Sequence, residues 1–95
     1  MILTEVRAAV PVAREQEVLD GYRKLGEAPV PDGLVQSWLL REDDEHWRIQ
    51  TLWRDQAALD AMRSAPEPPA APALFRSVGA EPVLTVLPVA AEIGG

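Results

Sequence analysis

Hydrophobic and polar positions change period several times along this chain, and the sharpest change lies between His46 and Ser64. Trp47, Ile49 and Trp53 fall on alternate positions with Thr51 between them, while His46, Arg48, Gln50 and Arg54 point the other way. That alternation predicts a strand with one dry face. Asp55 then stands where an N-cap belongs, and Ala58, Leu59 and Met62 follow at helical spacing. A short amphipathic helix must therefore cover the strand that precedes it.

The same two signatures recur on either side. Ile2, Thr4, Val6, Ala8 and Val10 share one face of a first strand that Pro11 can end. From Val12 to Leu25, Val18, Tyr22 and Leu25 recur at i, i+4 and i+7 opposite a charged face, which predicts a longer helix. Gly21 inside it is expected to mark a close approach to the sheet, and Gly26 to stop it. Leu34 to Arg41 reads as a second strand with two mixed faces, joined by the acidic tip Glu42 to Glu45 to the third in a hairpin. Ala65 to Pro72 carries four prolines in eight residues, which predicts extended, polyproline-like backbone. Its readings are a stiff connector or lid, or a ligand for a proline-reading domain. Ala73 to Val78 can make one helical turn, Gly79 stops it, and Pro82 to Val89 reads as a fourth strand whose Pro88 belongs at a sheet edge. Residues 91–95 are expected to form a loose tail after a single domain spanning 1–90.

This order is β-α-β-β-α-β, the split βαβ or ferredoxin-like plan of the α+β class, with a four-stranded antiparallel sheet and both helices on one face. Right-handed crossovers place strand one beside strand three, strand four beyond strand one, and strand two at the other edge. The uncovered face then carries Leu3, Glu5, Arg7, Arg48, Gln50 and Leu52, with Glu5 able to pair with Arg48 across the ladder. A partly apolar bare face predicts a two-fold homodimer.

Composition narrows the chemistry. Nine Lys and Arg against fifteen Asp and Glu give a net charge of −6, which argues against nucleic acid or anionic membrane as a partner. The chain of 95 residues has no cysteine and one histidine, so disulfides, thiolate sites and a structural zinc are not expected. Charge at Glu5 interrupts any apolar run from Met1, and no stretch reaches the length of a spanning helix, making the cytoplasm the default expectation.

The run Ile49 to Ser64, with a tryptophan ending the strand, a polar cap and a Gln-Ala-Ala-Leu helix start, resembles the antibiotic biosynthesis monooxygenase (ABM) family. Arg14 to Tyr22 and Leu39 to Arg41 extend the resemblance over the whole chain. It implies a dimeric α+β barrel and cofactor-independent oxygenation of aromatic or quinone-type small molecules; the family also includes haem degraders. This chain has Met62 where family members usually carry a histidine and haem degraders a tryptophan. It also lacks the haem degraders' asparagine on strand one, where Glu5-Val6-Arg7 stands, and their histidine after helix two, where Ala65 to Ala71 stands. These departures argue against haem, and no cofactor is expected.

Oxygenation without a cofactor needs a base, a dry pocket and donors to a developing oxyanion. Tyr22, Trp47, Trp53, Met62 and Phe75 can line such a pocket, or can simply fill the core. Trp38, near a sheet edge, could serve the dimer or the pocket. His46 is the formal candidate base, although a hairpin end beside Glu45 suits a solvated histidine. Arg76, just after the proline-rich segment, and Arg7 are candidate oxyanion donors, against the commoner fate of a surface ion pair. The alternative to an enzyme is a non-catalytic dimer on the same scaffold that binds a small ligand or serves as an accessory protein.

Overall fold

The structure, a computed structural model, describes residues 1–94. Strand β1 (Ile2–Ala9) leads through a 3-10 turn at Val12–Arg14 into α1 (Glu15–Glu27). Strands β2 (Leu34–Arg41) and β3 (His46–Trp53) form the hairpin, followed by α2 (Gln56–Ser64), α3 (Ala70–Ser77) and β4 (Val83–Pro88). The sheet order is β2-β3-β1-β4, with every neighbouring pair antiparallel. This is the ferredoxin-like arrangement expected from the sequence, with β2 and β4 at the edges.

The alternation along β3 decides which way the sheet faces. Trp47, Ile49, Thr51 and Trp53 are buried while the residues between them are half-exposed. Val6 and Ala8 continue that dry face on β1. Val18 of α1 and Phe75 of α3 pack on its Trp47 end, together with Val10, Ile49 and Val78. Ala58 and Leu59 of α2 pack on Trp53 at the other end. All three helices therefore lie on one face, and the core is divided into two clusters along β3.

Asp55 caps α2 as its position predicted, its carboxylate accepting from the Ala58 amide at 2.8 Å. Glu5 and Arg48 pair at 3.1 Å on the bare face. Arg48 also joins Glu42, which holds Arg7 at 2.8 Å. The two guanidinium groups, Arg7 first, pull the Glu42 carboxyl down to about 2.

Four expectations need correction. Ala70 to Ser77 is a helix, although prolines reach Pro72. Pro69 takes the N-cap and Pro72 falls in the first turn, where amides have no partner inside the helix and a missing N–H costs nothing. Helix α1 runs through Gly26 to Glu27 and ends where Pro29 drives Ala28 into extended backbone. Gly21 marks a close approach to α3, where an added Cβ would overlap Leu74, and not to the sheet. In β2 a bulge at Val35 resets the alternation, so Leu34, Ser37 and Leu39 pair with dry-face residues of β3. Of the expected tail, Gly95 lies outside the described residues.

Candidate functional site

The gap between the two core clusters is a cavity of about 750 Å³. Sites for drug-sized molecules run to roughly 300–1,000 Å³. Val6 and Ile49 from the sheet, Tyr22 and Leu25 from α1, and Leu59 and Met62 from α2 give it apolar walls. Its mouth lies between two proline-bearing connectors, residues 28–32 and 65–69. Fixed φ angles there limit the backbone freedom lost when a ligand enters. The ionised groups Asp32, Arg54, Arg63 and Glu67 line this rim, and all four are exposed.

The floor is polar, and strand register explains why. Thr51 on β3 stands opposite Thr4 on β1 and opposite Ser37 on β2, so three hydroxyls form one row across the sheet. Trp53 Nε1 donates to Thr4 Oγ1 at 3.0 Å, and Thr4 Oγ1 donates to the Thr51 carbonyl at 3.4 Å. Tyr22 closes the row from above, its hydroxyl donating to Ser37 Oγ at 2.9 Å. Ser37 Oγ and Thr51 Oγ1 share a hydrogen bond at 3.2 Å. The result is an apolar chamber whose floor is lined by uncharged hydroxyls.

Of the residues singled out in the sequence, Tyr22, Trp53 and Met62 line this cavity. Trp47 and Phe75 do not: both are buried in the α1–α3 cluster, with Arg41 stacked 4.3 Å above the Trp47 ring. Their alternate spacing places them on the correct face, but at the packed end. The expectation that they line the pocket is corrected accordingly.

His46 sits at the hairpin tip, where its Nδ1 is 2.8 Å from Asp43 Oδ1, remote from the cavity lining. Arg76 is exposed in the last turn of α3 and does not line the cavity. Arg7 is tied to Glu42 on the opposite sheet face. Trp38 lies on that face as well, opposite Gln50. Glu42, Asp43 and His46 bring their ligating atoms within 4.8 Å of one another. Glu42 is already committed to Arg7 and Arg48, and Asp43 to His46 and the Glu45 amide.

Sequence reasoning missed Thr4, Ser37 and Thr51. The signal was available for the threonines: each interrupts an otherwise apolar face, Ile2-Thr4-Val6-Ala8 and Trp47-Ile49-Thr51-Trp53. Ser37 was hidden by the bulge.

With this architecture the chain shares its fold with solved antibiotic biosynthesis monooxygenases. A protein from Deinococcus radiodurans provisionally named as such a monooxygenase superposes with a TM-score of 0.74 at 12% identity, covering 99% of this chain and 97% of that one. A variant of SnoaB, a cofactor-independent oxygenase from Streptomyces nogalater, gives 0.72 at 20% identity, covering 99% and 97%. MhuD, a haem degrader from Mycobacterium tuberculosis solved with two haems in its active site, gives 0.72 at 17%, covering 99% and 100%. No protein-family model and no curated protein sequence matches the chain.

Of the side chains that ligate haem iron, the cavity lining holds Met62 and Tyr22 and no histidine or cysteine, and the Tyr22 hydroxyl donates to Ser37.

Proposed function

We propose that the cavity binds a flat, largely apolar aromatic or quinone-type molecule and that the protein is a cofactor-independent monooxygenase of the ABM type. The observation that carries this reading is the chamber itself: apolar walls, hydroxyl floor and charges confined to the rim, on a fold shared with a cofactor-independent oxygenase. The chemistry suits a ring CH2 made acidic by a neighbouring carbonyl. That carbon loses a proton, the carbanion reduces dioxygen, and the proton returns to give a hydroperoxide. Loss of water then leaves a second ring carbonyl. One dioxygen thus supplies both the new carbonyl oxygen and the oxygen of the water.

The chain's own contribution is a dry, shaped chamber that holds the electron-rich ring away from water. Asp32 and Glu67 stand at the exposed rim, and no imidazole lines the cavity. Suitable substrates are therefore those acidic enough to ionise without a strong protein base. That same lack favours the second reading, a non-catalytic dimer holding a small aromatic ligand.

The bare sheet face exposes Trp38 and Leu40 beside the half-buried Leu3 and Leu52. A second copy of the chain across this face completes the proposed homodimer.

Oxygen consumption above the protein-free rate, measured with anthrones and without added metal or flavin, separates these readings. The enzyme consumes one dioxygen per quinone formed. Saturable tryptophan quenching with no oxygen uptake leaves the binding protein, and neither response removes both.

A further inference from the structure

Tyr22, Ser37 and Thr51 carry three hydroxyl protons but share only two hydrogen bonds, Tyr22 to Ser37 at 2.9 Å and Ser37 with Thr51 at 3.2 Å. Among the described residues these hydroxyls form no other hydrogen bond. Thr4 is different: its proton goes to the Thr51 carbonyl and its oxygen accepts from Trp53, so it has no donor to spare. Once Tyr22 donates to Ser37, the remaining proton rests on Thr51 if Ser37 donates onward, or on Ser37 if Thr51 donates back. In either arrangement one donor is left over, and all three residues line the cavity.

We infer that this hydroxyl row is the specificity determinant of the cavity, giving its spare hydrogen bond to a neutral carbonyl oxygen on an otherwise apolar ring system. The inference rests on the ligand-site reading above and adds the chemistry of the ligand's one polar contact. A carbonyl fits where a carboxylate does not. The floor offers a single uncharged donor, and a carboxylate placed there would bring a localised full charge out of water with one hydrogen bond in return. A hydrocarbon without an oxygen would leave the spare hydroxyl unsatisfied, which penalises it against its ketone.

The proton count makes an uncommon prediction for variants. Tyr22→Phe removes one proton and one bond together, so Ser37 and Thr51 still hold one donor in excess. Only the triple variant Tyr22→Phe/Ser37→Ala/Thr51→Val empties the floor of spare hydroxyl donors, Thr4 keeping its bond to the Thr51 carbonyl. It does so with near-isosteric replacements and strands none of these hydroxyls.

The test compares fluorenone with fluorene, the same ring system with and without the carbonyl, by tryptophan quenching. Wild type is expected to bind fluorenone about fivefold more tightly. Tyr22→Phe keeps that preference and the triple variant brings the ratio to about one. The carbonyl stretch of bound fluorenone provides a reading that needs no variant: it moves to lower frequency than in an apolar solvent. Equal affinities in wild type, a preference that survives in the triple variant, or an unshifted stretch overturns the assignment while leaving the cavity a ligand site. Failure of both ligands to bind removes the ligand-site reading and this inference with it.

Discussion

Gly33 and Ala58 meet so closely that a side-chain carbon on Gly33 would overlap the Ala58 Cβ, and Gly33 itself has a φ of +86°. The Gly33 carbonyl accepts from the Arg54 amide at 2.8 Å, so the connector before β2 is clasped to the start of α2. That clasp fixes one side of the cavity mouth. Unlike a long side chain, Ala58 cannot rotate out of the way. Gly33→Ala should therefore destabilise the fold by about 1–3 kcal/mol through strain and overlap. Urea unfolding should show a lower midpoint with an unchanged slope, and an unchanged midpoint would show that the clasp yields without cost.

The bond from Trp53 to Thr4 ties the cavity floor to its wall. Trp53 is 4% exposed, so losing its acceptor would leave a buried N–H without a partner. Thr4→Val should cost about 1–3 kcal/mol. Thr4→Ser, which keeps the oxygen, should recover most of it, both variants being read by thermal unfolding. A Thr4→Val variant as stable as wild type would show that the bond contributes nothing.

Acid should weaken the bare-face ion network in a defined window. Arg7 and then Arg48 hold Glu42 at about 2, below its ordinary 4.5, so between these values the unfolded chain binds a proton that the folded chain does not. Stability from this contact is present above the ordinary carboxylate range and is lost as pH falls through the folded value. Circular dichroism followed from about pH 6, above this window, down to about pH 2, at its lower edge, should show a shallower loss in Glu42→Gln than in wild type. Parallel curves would show that this contact contributes nothing to acid sensitivity.

Leu52 sits opposite Leu3 on the face proposed to meet a second copy. A charge there would be desolvated in the dimer, so Leu52→Arg should convert a dimer into a 10.4 kDa protomer in sedimentation equilibrium. Wild type sedimenting as a protomer at all concentrations would count against the dimer.

The fold was legible because its periods are clean where they matter. The run Trp47 to Trp53 declares its face, Asp55 marks the start of α2, and the connection rules then order the strands. Legibility failed where a local rule depends on position. Prolines signal extended chain except in the first turn of a helix, which is where Pro72 falls. The bulge at Val35 reverses the faces of β2 and so hides Ser37.

For the cavity, alternation identified the dry face but could not say where along β3 the packing is interrupted. Trp47 and Trp53 look equivalent in sequence. The helices above them are not: α1 and α3 fill one end while α2, only nine residues long, covers the other.

The most direct test of the ligand site uses the chain's two methionines. Met62 lines the cavity, whereas Met1 does not. With 13C-labelled methionine methyl groups, titration with fluorenone should move the Met62 signal saturably through the ring current of the bound aromatic and leave Met1 in place, with Met62→Leu supplying the assignment. A Met62 signal that stays fixed up to the solubility limit, or that moves only in step with Met1, would contradict the account.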